Sequence, residues 1–233
     1  MSILDLLVGR TYEDAEGEVR AMPVVLRIER SEPPSRTALL EAAAAAAVAV
    51  CLDPRAAEGG EWHDEVVAWI RGRIRKVSRR ARGAHWEVVQ ALPGVTITVD
   101  GASVRALVPG LVGSAPKEVS RLQISGSELP DDSPGPVPPG VPVLWLNPKV
   151  PMTAGKAAAQ VGHATMLLAP TLTEEEVKSW ASKDFRTAVR TPSAERWQSL
   201  LDAGAVAVRD AGFTEVEPGT TTVIAEFESS GLR

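Results

Sequence analysis

At 233 residues the chain can hold one large domain or two of ordinary size, and its 44% hydrophobic content, weighted toward Ala and Val, is that of a globular protein. A single cysteine, Cys51, excludes an intrachain disulfide framework and a Cys-rich metal site, which points to a reducing compartment. The net charge of -5 disfavours nucleic acid as a partner unless positive charge is gathered locally.

In chain order, residues 1–21 are an extension whose start, MSILDLLVGRTYED, lacks the basic beginning of a signal peptide and meets Asp5 at once, so a cytoplasmic protein is expected. After Pro23 comes an apolar strand, VVLRIE, and then Thr37-Ala38 opens an alanine-rich helix. Its small or apolar run at residues 42–52 is 11 long, well short of the ~20 that a membrane span needs. Cys51 in AVAVCLD reads as a small core residue. Beyond EVVAW, which ends at Trp69, residues 71–82 hold seven positive charges and no acid. These are Arg71, Arg73, Arg75, Lys76, Arg79, Arg80 and Arg82, and they fit either a solvated helical face or a phosphate-binding patch. The alternating strand VTITVDG follows Trp86, and residues 117–125 are expected to be a short extra strand. Residues 126–140, with five prolines and three glycines, make the clearest linker.

The chain past the linker repeats the order of landmarks before it. An apolar strand again follows a proline, Pro142. Thr153-Ala154 again opens an alanine-rich helix, and EVKSW ends at Trp180 as EVVAW ends at Trp69. A further Trp follows 17 residues later in both parts, at Trp86 and Trp197, and both parts finish with a Pro-Gly turn. The expectation is a tandem duplication, residues 22–125 and 141–233, forming a pseudo-dimer within one chain. Counted from the Thr-Ala pairs, Lys156 corresponds to Leu40, Gln160 to Ala44 and His163 to Ala47. The first copy keeps the scaffold and lacks the polar stripe.

That stripe is the first candidate site. On a helix, Lys156, Gln160 and His163 stand at i, i+4 and i+7 and share one face, with small residues around them. Taken singly, each has a plain alternative: a surface lysine, a solvent-facing helix former, a core histidine. The helix start at Thr153 and Gly155 should turn free amides and the positive end of the dipole toward an anion. A second segment, RDAGFTEVEPGTTTVIAEF, places Asp210 at a strand end before an Ala-Gly reversal, then Thr214, then a turn at Gly219 and Thr220. Asp210 taken alone also fits a turn former.

Together, MTAGKAAAQVGHA and DAGFTEVEPGTTT resemble the two ordered motifs of the peptidyl-tRNA hydrolase 2 family, the archaeal and eukaryotic type. The resemblance runs over roughly residues 141–227. It implies a mixed four-stranded sheet packed between helices, here as an α/β fold with two such α/β/α units in tandem. It also implies an esterase that frees tRNA from peptides, without metal or cofactor. Carried over position by position, the functional residues fall on Lys156, Gln160, His163, Asp210 and Thr214, and substrate contacts are expected at Thr153, Gly155, Gly219 and Thr220. Two positions depart from the pattern: Ala154 stands where a second Lys is frequent, and Glu215 where Gln is frequent. Residues 141–233 hold nine Lys or Arg against eleven Asp or Glu, a poor match for tRNA phosphates, so the basic run of the first copy is expected to supply the charge. An inactive RNA-binding module and a small-substrate esterase or amidase are the competing readings.

Overall fold

Val24, Val25 and Leu26, all fully buried, form the centre of strand β1 (Arg20–Arg27), from which the first sheet grows. The computed structural model describes residues 2–8, 18–210, 212 and 216–227. A short helix α1 (Ile3–Leu7) precedes β1; α2 (Arg36–Leu52), α3 (His63–Arg71), β2 (Lys76–Ala81), α4 (Ala84–Val89), β3 (Gly94–Val99), β4 (Ala102–Leu107), β5 (Gly110–Leu111) and α5 (Lys117–Ser120) follow it. After the linker come β6 (Val143–Leu146), α6 (Ala154–Leu168), α7 (Glu174–Ala181), β7 (Ala188–Arg190), α8 (Ala194–Asp202), β8 (Val206–Arg209) and β9 (Thr221–Glu226).

The two sheets have one topology. The first runs β2-β1-β4-β3, with β5 added beside β1, and the second runs β7-β6-β9-β8. The β1/β2 and β6/β7 pairs are parallel, and the β1/β4, β6/β9, β3/β4 and β8/β9 pairs are antiparallel. The matching tryptophans make matching contacts: Trp69 Nε1 donates to Arg75 O at 3.0 Å, and Trp180 Nε1 to Arg186 O at 2.9 Å. Trp86 and Trp197 each anchor a small core on the outer side of their own sheet.

Helices α2 and α6 lie against each other in the middle of the molecule and share one large core. Every residue from Ala38 to Cys51 is buried, which explains the apolar run: this helix is covered on all sides. No helix among the described residues is long and apolar enough to cross a membrane. Small side chains let the two helices approach closely. A Cβ on Gly162 would come within 2.9 Å of Ala47 Cβ, and Thr165 Oγ1 donates to Ala44 O at 2.9 Å. The halves are also joined by an ion pair between Glu41, 8% exposed, and Arg190 at 2.8 Å; the same carboxylate accepts Val189 N at 3.0 Å.

Two expectations about local structure are corrected. Residues 71–82 are not a helical face: α3 ends at Arg71, Gly72 follows it, and Lys76–Ala81 is the edge strand β2 of the first sheet. Its charged residues hid the strand because one of its faces meets the core lightly and carries no run of large apolar side chains. Residues 117–125 are not a strand either. Pro116 precedes the single helical turn α5, which turns Val119 toward Trp86, and Gln123 makes one isolated bridge to Arg80.

The linker has no helix or strand, yet it is tied down. Asp132 accepts Thr37 N at 3.0 Å, Thr37 Oγ1 at 2.5 Å and the Ser35 hydroxyl, all at the start of α2. Ser127, 4% exposed, accepts Gly155 N at 3.1 Å at the start of α6.

Candidate active site

Ten of the fifteen residues of α6 are buried, and the remaining five, Lys156, Ala159, Gln160, His163 and Leu167, all line one cleft of about 980 Å³. Their spacing along the helix puts them on a single face. The helix is therefore the floor of the cleft. One wall is β8 with Asp210 after it, the edge strand of the second sheet; the other is residues 73–78, leading into and along β2, the edge strand of the first. The site thus opens between the two sheets.

Asp210 owes its position to a loop that the first sheet lacks. There, β3 and β4 are joined by Asp100 and Gly101 alone, both at positive φ (45° and 82°), as a two-residue hairpin requires. In the second sheet the same connection is longer. Asp210 N donates to Thr220 O at 2.9 Å and Gly219 N to Asp210 O at 2.7 Å, closing the base of the loop. Gly212 has φ 79°, and a Cβ there would fall 2.3 Å from Pro218 Cγ, so this turn needs glycine.

The Asp210 carboxylate is 7% exposed and held by three donors among the described residues, which leave one acceptor site on Oδ1 open. Its Oδ2 accepts Lys156 Nζ at 2.5 Å and Gln160 Nε2 at 2.9 Å, and its Oδ1 accepts Gly212 N at 2.8 Å. The buried Thr222 hydroxyl donates to Gln160 Oε1 at 2.5 Å, which fixes the amide with its nitrogen toward Asp210. Sequence reasoning passed over Thr222 although it lies in the PGTTT stretch; strand alternation gave the one available sign that it faces inward. The network presents a fixed ammonium, amide N–H groups and a carboxylate at one end of the cleft. Such preorganised donors can stabilise an oxyanion, and the carboxylate can order a water.

The other expected residues are distributed as follows. His163 lines the cleft one turn beyond Gln160. Thr153 and Gly155 also line it, but their surroundings already use the helix-start amides: Thr153 Oγ1 accepts Lys156 N at 3.2 Å, and Ser127 accepts Gly155 N. Gly219 and Thr220 support the Asp210 backbone and are not part of the cleft lining. Thr214 and Glu215 lie outside the described residues.

The basic run divides by face. Arg73, Arg75 and Lys76 line the cleft, and Lys76 Nζ also stands 5.3 Å from the centre of the Trp69 ring. Arg79 turns the other way and donates to Leu122 O at 2.7 Å and Ser120 O at 3.3 Å. Arg80 bonds Gln123, while Arg71 and Arg82 are not among the cleft residues. Ser78, Ile74, Leu167 and Ile124 complete the lining and were not legible as site residues. Each is an ordinary residue whose role depends on which distant segment it meets.

Residues 141–227 match the family model of the peptidyl-tRNA hydrolase PTH2. None of the curated proteins compared matches the chain. The PTH2 match contains α6, Asp210 and Thr222, and it ends after β9. Over these residues the chain is similar to that family. The wall formed by Arg73, Arg75, Lys76 and Ser78 lies outside the PTH2 match and comes from the first unit. Among the described residues no group of three or more His, Cys, Asp or Glu is placed to hold a metal ion.

Proposed function

We propose that the cleft hydrolyses the ester that joins a peptide, or an N-acyl amino acid, to tRNA in the cytoplasm. The observation that carries this reading is the Lys156–Gln160–Asp210 network, which lies within the PTH2 match and faces Arg73, Arg75 and Lys76 across the cleft. Asp210 orients the attacking water and takes its proton as the oxygen adds to the ester carbonyl carbon. Lys156 and the Gln160 amide face the oxyanion side, the bond to the ribose oxygen breaks, and that oxygen leaves with a proton. His163 and Thr214 position the substrate. The cations of the first unit hold RNA phosphates, which compensates for the acidic balance of the second.

The test is incubation with an N-blocked aminoacyl-tRNA. Release of the acyl amino acid is expected. Tight binding without release would instead support an inactive RNA-binding module, and neither binding nor release would leave an esterase or amidase of small substrates.

The same reading takes the two units as copies of one ancestral unit, arranged as a pseudo-dimer. The identical strand order, the paired indole contacts of Trp69 and Trp180, and the paired outer clusters around Trp86 and Trp197 support it.

A further inference from the structure

The first unit brings to the cleft one hydroxyl for which the fold has no use. Ser78, on the edge strand β2, is 9% exposed, and its Oγ has no hydrogen-bond partner among the described residues. Its Cβ lies 3.6 Å from where a Cβ on Gly155 would stand, beside the first turn of α6 and the Lys156–Asp210 end of the cleft. Buried hydroxyls are nearly always paired, because leaving one unmet is costly. A group that both donates and accepts is well matched by another hydroxyl.

What lies beyond Ser78 narrows the choice of ligand. The wall runs antiparallel to α6: Lys76 Cε lies 3.5 Å from the Cβ position of Gly162, two turns along the helix, and Arg75 and Arg73 continue it. The order is a neutral hydroxyl at the reacting end, then cations in succession. A sugar-phosphate chain whose last ribose sits at the reacting end has the same order, with its neutral 2′-hydroxyl first and its phosphates behind.

We propose that Ser78 pairs with the 2′-hydroxyl of the terminal ribose and that RNA leaves the cleft over Lys76, Arg75 and Arg73. The unit outside the PTH2 match then selects RNA and sets the direction in which it lies. This rests on the tRNA-ester reading of the cleft, but it can be tested without turnover.

The experiment compares binding of two fluorescent five-nucleotide RNAs that differ in ending with adenosine or 2′-deoxyadenosine. The full chain is expected to prefer the ribose end by about fivefold, the value of one neutral hydrogen bond. Ser78→Ala is expected to bind both strands with the weaker affinity and to keep its Tm, since the lost hydroxyl has no partner in the fold. Arg73→Gln should weaken binding of the five-nucleotide strand and leave binding of adenosine monophosphate unchanged, which reads the direction. Equal affinity of the full chain for both strands, a preference that Ser78→Ala retains, or no binding of either strand would each overturn the proposal. A ribose preference without hydrolysis of acyl-tRNA would overturn the ester reading alone.

Discussion

Asp210 is held by three donors, so its removal has two separable effects. Asp210→Asn keeps the size and one acceptor oxygen but loses the charge, and hydrolysis of N-blocked aminoacyl-tRNA should fall by about 100-fold to 10,000-fold, measured as kcat. Asp210→Ala also strands the Lys156 ammonium, whose side chain is 10% exposed, and should cost about 3–5 kcal/mol in denaturant unfolding. The helix positions of this site were readable in advance, because Lys156, Gln160 and His163 obey a 3.6-residue period that needs no tertiary information. Thr222 and Ser78 were not. A buried Thr or Ser on a strand has the same local pattern whether it meets a functional amide, an α-helix start or nothing polar at all.

Replacing Arg73, Arg75 and Lys76 together by Gln should reduce the slope of log K against log salt for tRNA by roughly 2, as expected for about three lost phosphate contacts to a single strand. Arg79→Ala should leave that slope unchanged and cost about 1 kcal/mol, because the carbonyls of Ser120 and Leu122 lose their donor. The charge of this segment was plain in the sequence; its conformation was not, since an edge strand with three cations of its own and four flanking it lacks the apolar alternation by which strands are recognised. The linker was legible as irregular chain, but not as a strap. Burial pushes the Asp132 carboxyl up, while the Ser35 and Thr37 hydroxyls and the Thr37 amide outweigh this and hold it below its ordinary value of 3.8. Its stabilisation is therefore complete above that value and lost as pH falls through the lower folded value. Asp132→Asn should flatten the acid side of a Tm-against-pH curve, taken between about pH 5 and pH 2.

At the level of the whole molecule, the repeated strand order could be anticipated from the tryptophan landmarks, but the meeting of the units could not. That meeting depends on α2 lying against α6 and on Glu41 reaching Arg190 across 149 residues of sequence, and no periodicity encodes either contact. Glu41→Ala should lower stability by about 3 kcal/mol, read from urea unfolding, because Arg190 and the Val189 amide lose a buried carboxylate. The cleft lies between two edge strands, β2 and β8. Both walls are written in a single polypeptide, so the encounter of the wall that ends in Asp210 and the wall that carries the cations is an intramolecular event whose effective concentration does not depend on how much protein is present. Turnover per chain should accordingly stay constant through serial dilution into the nanomolar range, where a reversible assembly of separate subunits would fall apart and lose its RNA-facing side.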